Sequence, residues 1–146
     1  MRFNKATATV PTTEFITTSV QHGQHSLQLW DVGGQQQLRP YWRHYLSGAH
    51  GIIFVADCAD HARIQQMKEE FATVITDPQL AEAAVLVLAN KQDLPGHMDA
   101  DQIKQVLELP RVMKPTQRWE VQPAVATSGE GLEDAFSWLC TSMRAF

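Results

Sequence analysis

The 146 residues predict a single α/β domain, a mostly parallel sheet with flanking helices, and two observations carry that prediction. From Gly51 onward, apolar runs of strand length alternate with stretches of helical periodicity, the pattern of successive strand-helix units. Those apolar runs are continuous rather than alternating, which suits strands covered on both faces, as in parallel sheets.

The first element is a hairpin. Glu14 to Val20 and Ser26 to Trp30 are β-rich and meet at a polar turn, His22-Gly23. Leu27 and Leu29 share one face, while Ser26, Gln28 and Trp30 share the other, which leaves Trp30 as an aromatic on the wetter side. After Asp31-Val32-Gly33-Gly34, Pro40 stands near the start of a segment with Leu38, Trp42, Tyr45 and Leu46, a short helix with proline in its first turn. Gly51 to Ala56 reads as a strand covered on both faces and ended by Asp57. Ile64, Met67, Phe71 and Ile75 then recur at spacings of three and four, which predicts a helix from about Ala62 to Ile75. A second buried strand, Ala84 to Ala89, leads through a polar loop to a helix carrying Ile103, Val106 and Leu107, with Asp99 or Asp101 placed to cap it. Trp119 to Ala126 is the third strand, and Leu132, Phe136, Leu139, Cys140 and Met143 form the stripe of the last helix.

Composition narrows the function. Twelve Lys and Arg against sixteen Asp and Glu give a net charge of -4 with no basic block, which argues against binding a nucleic acid polymer. Two cysteines, Cys58 and Cys140, both in apolar stretches, read as reduced, buried thiols in a cytoplasmic protein. No apolar run approaches the roughly 20 residues that cross a bilayer, and Arg2 stands where N-myristoylation needs glycine, so membrane contact is expected only indirectly or through a preceding segment.

In parallel sheets, ligands bind in the loops beyond the carboxyl ends of the strands. Three such loops carry chemistry. Asn90-Lys91-Gln92-Asp93 has the form N-K-x-D: a carboxylate at a strand end accepts two parallel hydrogen bonds from a flat N–H and NH2 edge, which guanine offers and adenine does not. The Lys91 stem can cover the face of a base while its ammonium stays wet. Asp31-Val32-Gly33-Gly34 has the form D-x-x-G, a carboxylate for a divalent cation and a glycine whose amide can approach a phosphate. Asn90 lies 59 positions after Asp31, room for two strand-helix units that return to the same sheet edge. The third loop is Ala126-Thr127-Ser128-Gly129. Each loop alone is also compatible with an ordinary surface turn; their order and spacing make the joint signal.

From Thr9 onward the chain resembles the Arf family of small GTPases, a P-loop NTPase-like fold. The resemblance rests on Val10-Pro11-Thr12-Thr13-Glu14-Phe15, Leu29-Trp30-Asp31-Val32-Gly33-Gly34-Gln35, Leu38-Arg39-Pro40-Tyr41-Trp42-Arg43-His44-Tyr45, Leu88 to Pro95 and Ala126 to Leu132. It implies that Thr12 and Asp31 hold Mg²⁺, that Asp31, Val32, Gly33, Gly34 and Gln35 surround the phosphates, and that Gln35 orients the attacking water. It implies that Asn90, Lys91, Gln92 and Asp93, with Ala126 and Thr127, bind the base of GTP or GDP, the Ala126 amide meeting the guanine carbonyl oxygen. Phe15, Trp30 and Tyr45 match an aromatic cluster that grips effectors. Exchange factors, GTPase-activating proteins and effectors of vesicle-mediated transport are the implied partners. A monomer in the cytoplasm, peripheral at the Golgi or other endomembranes, is the implied setting.

The sequence departs from the family in three places. G-x-x-x-x-G-K-[ST], the phosphate loop, does not occur, and the first strand and first helix that flank it in the family are absent with it. Glu14 stands where the family has glycine, and Arg2 where a myristoylated member has one. A central strand missing from a sheet leaves its two neighbours with facing unpaired ladders, at about 1 to 3 kcal/mol for each buried group. The alternative function is therefore a nucleotide-free interaction module that presents the Phe15, Trp30 and Tyr45 face.

Overall fold

A computed structural model describes residues 15–33 and 36–143. Its strands fall into two sheets. β1 (Phe15–His22) and β2 (His25–Val32) form an antiparallel hairpin, and β3 (Gly51–Asp57), β4 (Ala84–Asn90) and β5 (Trp119–Pro123) form a parallel sheet in that order. Between the sheets run a 3-10 turn over Gln36–Tyr41 and the short helix α1 (Arg43–Leu46). Helix α2 (Ile64–Ile75) connects β3 to β4, α3 (Ala100–Val106) and α4 (Leu109–Val112) connect β4 to β5, and α5 (Leu132–Ser142) follows β5.

β4 is the centre of the parallel sheet. Its Ala-Val-Leu-Val-Leu-Ala run is buried throughout and divides the core in two. Val85, Val87 and Ala89 face α2 and α3 through Phe71, Ile75, Ile103 and Leu107. Ala84, Leu86 and Leu88 face α5 through Leu132, Phe136 and Leu139. Leu27 and Leu29 of β2 and Ile53 of β3 rest against this second cluster, so hairpin and parallel sheet share the α5 layer. His22, at the far end of β1, is buried and shares a 2.9 Å hydrogen bond with Ser137 of α5.

Most of the predicted elements form, with local corrections. β3 is only half-buried, and Val55 is 58% exposed, because among the described residues β3 pairs with β4 alone and its other edge borders a groove. The expected start of the second helix near Ala62 is instead a 3-10 turn over His61–Arg63. The third strand stops at Pro123 rather than Ala126, because the chain then turns and Val125 forms an isolated bridge with Glu130. Asp99, not Asp101, caps α3: its carboxylate accepts from the Gln102 amide at 2.8 Å, and Gln102 Oε1 accepts from the Asp99 amide at 2.9 Å. Cys58 and Cys140 are free and buried, as expected. Among the described residues no helix is long and apolar enough to cross a membrane.

Candidate functional site

The parallel register sets Asp57, the last residue of β3, beside Asn90, the last residue of β4. From there the loops are tied together by hydrogen bonds. The Ala124 amide donates to the Ala89 carbonyl at 3.0 Å, and the Gln92 amide to the Ala124 carbonyl at 3.3 Å. The Ala126 amide donates to Asn90 Oδ1 at 3.0 Å, so the N-K-x-D loop and the Ala126-Thr127-Ser128-Gly129 loop form one surface. The resemblance assigns that amide to a guanine carbonyl; here Asn90 accepts from it.

Lys91 holds a left-handed backbone, φ 66°, and its ammonium donates to Asp57 Oδ2 at 2.7 Å. Partial burial opposes ionisation of Asp57, but the bonds from Lys91 and from the Ala59 amide outweigh it and hold the carboxyl below the ordinary value. Gln92 turns inward, its side-chain amide donating to the Met98 carbonyl at 2.9 Å, and the Met98 amide donates to the Cys58 carbonyl at 2.9 Å. These bonds brace the loop from beneath. Asp93, Ala126 and Thr127 are exposed on its rim, so a flat base edge can reach the Asp93 carboxylate. The chemistry of this rim, one exposed carboxylate beside a braced lysine stem, fits guanine.

The third loop ends β2. Asp31 is exposed, Val32 pairs with Phe15, and Gly33 is buried with its carbonyl accepting from Trp42 Nε1 at 2.9 Å. Thr12, Gly34 and Gln35 lie outside the described residues, as does Glu14. Among the described residues no group of three or more His, Cys, Asp or Glu is arranged to hold a metal.

The three predicted aromatics do converge. Thr17 stands opposite Trp30, which makes Phe15 the diagonal neighbour of Trp30 on the same face of the hairpin. Phe15 stacks on Trp30 with centroids 5.4 Å apart, and Tyr45 of α1 completes the group at 5.1 Å from Phe15 and 6.2 Å from Trp30. Phe15 is 42% and Trp30 51% exposed, so the cluster is a surface rather than a core.

Asp57 was not among the residues singled out for the site. The only sequence signal was its place at the end of an apolar strand, where the parallel register would set it against Asn90.

An α/β sheet with N-K-x-D and Ala-Thr-Ser loops joined at the strand ends is the fold of a small GTPase domain. The chain belongs to the ADP-ribosylation factor family, whose model matches residues 1–143, and so to the Arf-like small GTPases of the Ras superfamily. Among solved structures it is similar to the Arl6 (BBS3) small GTPase from Trypanosoma brucei with bound nucleotide analogue GppNp. The TM-score is 0.86 at 23% identity, over 95% of this chain and 84% of that one.

Proposed function

We propose that this chain is a guanine-nucleotide-dependent switch that hydrolyses GTP and recruits effectors in vesicle-mediated membrane traffic. The observation that carries the reading is the Asn90–Ala126 hydrogen bond, which joins the two base-reading loops at the strand ends. In this reading Asn90, Lys91 and Asp93 read guanine, with Ala126 and Thr127 beside them and Gln92 as the brace. Thr12 and Asp31 hold Mg²⁺, Val32, Gly33 and Gly34 follow the phosphates, and Gln35 orients water. Bound Mg²⁺ offsets the charge on the phosphates. Exchange factors, GTPase-activating proteins and effectors are its partners, and the cytoplasm with Golgi or other endomembrane surfaces its place.

The test is chromatography of the nucleotide released when the purified protein is denatured. Near-stoichiometric GDP or GTP is expected, and Asp93→Asn should lose the preference for guanine over adenine nucleotides by about 100-fold or more. A folded protein that carries no nucleotide and takes up none overturns the reading.

The preassembled aromatic triad supports a second reading, an interaction module that works without nucleotide. Effector binding that is unchanged by GTP, GDP or Mg²⁺ would establish it, and binding lost on stripping nucleotide would exclude it.

A further inference from the structure

Trp42 makes a bond that base reading does not use. Its ring is half-buried, and its indole Nε1 donates to the Gly33 carbonyl at 2.9 Å, nine positions back along the chain. Gly33 is buried just after the end of β2, inside the D-x-x-G loop. The segment that carries Trp42 is anchored without that bond. The Trp42 amide donates to the Arg39 carbonyl at 3.1 Å, and the Trp42 carbonyl accepts from the Tyr45 amide at 2.9 Å. Arg39 pairs with Glu70 of α2 at 2.5 Å, and Arg43 with Asp77, just past α2, at 3.2 Å. Tyr45 lays its ring against Phe15. The indole donor therefore projects from a segment tied to α2 on one side and to the aromatic triad on the other.

We propose that Trp42 is a positioning residue for the terminal phosphate of a bound nucleotide: its indole N–H fixes the peptide group between Gly33 and Gly34, and with it the direction of the amide N–H that meets that phosphate. This rests on the guanine-nucleotide switch proposed above and adds the residue that holds its phosphate contact in place. A peptide group is planar and trans, so the carbonyl of one residue and the N–H of the next point opposite ways on one rigid unit. Holding the carbonyl therefore aims the amide. This unit needs holding, because it lies between two glycines and neither has a Cβ to limit its rotation. An indole suits the task, since its N–H only donates and cannot turn round to accept. The bond acts on one phosphate contact alone. The base is read from the Asn90 and Ala126 loops at the ends of β4 and β5, joined by their own hydrogen bond. Loss of the indole donor should therefore weaken the triphosphate and spare the diphosphate.

The test compares the affinities of the 146-residue protein for GDP and for GppNp, both with Mg²⁺, in the wild type and in Trp42→Phe, which keeps an aromatic ring and removes the donor. GDP binding is expected to stay within about twofold and GppNp binding to weaken by about tenfold, the loss of one neutral hydrogen bond. Should Trp42→Phe lose the circular dichroism of the wild type, the comparison is made with benzothienylalanine in place of Trp42, which keeps the size of the indole and has sulfur where the N–H was. Equal weakening of GDP and GppNp makes Trp42 a packing residue and overturns the proposal. Unchanged binding of both overturns it too, and leaves the switch reading standing. A wild type that binds neither nucleotide overturns the switch reading and the proposal together.

Discussion

Lys91 and Asp57 show how a strand end is turned into a braced loop. A left-handed lysine costs on the order of 1 kcal/mol, and the 2.7 Å bond to Asp57 fixes where its ammonium goes. Asp57→Asn should leave the circular dichroism unchanged and speed release of a fluorescent GDP analogue several-fold; an unchanged rate would show that Lys91 does not need the carboxylate. Because the Asp57 pKa is depressed, the pair's contribution to stability is present above the ordinary carboxylate value of 3.8 and fades as pH falls through the lower folded value. In acid titration the wild type should be more stable than Asp57→Asn above that range, and the difference should close as pH falls through it. Cys58, just beyond, is fully buried, and burial pushes its thiol up to about 11, with Asp57 adding to the rise against a bond from Gln92. Native protein at pH 8 should therefore yield no thiol at Cys58 to a chromogenic disulfide, and denatured protein the full two. Asn90, Lys91 and Asp93 were legible as a string of letters. Asp57 was not, because its partner lies 34 positions away and meets it only through the parallel register of β3 and β4.

At the scale of elements, periodicity located the helices and strands, while their ends were set by local chemistry. Asp99 and Asp101 were equally placed by sequence to cap α3. The reciprocal bonds between Asp99 and Gln102 decide it, since Asp99 takes the extended backbone of a cap and Asp101 lies inside the first turn. Asp99→Ala should cost about 1 kcal/mol in denaturant unfolding, and Asp101→Ala much less. Gly131 precedes α5 at φ 79°, and a side chain there would collide with the Pro123 carbonyl. Gly131→Ala should lose roughly 3 kcal/mol or fail to accumulate as soluble protein. The expectation that the Gly51 to Ala56 run is covered on both faces came from its unbroken apolar pattern. Such a pattern reports what a strand is suited to, and β3, paired only with β4 among the described residues, is half-buried.

For the whole molecule, the alternation of strand and helix was enough to read an α/β domain, and the missing phosphate-loop motif, with the central strand that precedes it in the family, was the sequence sign that the described strands would divide into two sheets. The hairpin is held to the rest through Leu27, Leu29 and His22 on one side and the aromatic triad on the other. His22→Ala should release its far end, increasing hydrogen exchange in β1 while β4 stays protected, at a cost of about 1 to 2 kcal/mol. If guanine nucleotide binds, GDP should raise the melting temperature in a concentration-dependent way and ADP should not. The bond between His22 and Ser137 spans 115 positions, and it also sets an order of events during synthesis. At about 5 to 20 residues per second, the hairpin is made roughly 6 to 23 seconds before the helix that anchors it. Through that interval its apolar face, Leu27 and Leu29 included, has no α5 to rest on, so the hairpin is a part of the nascent chain in need of a chaperone.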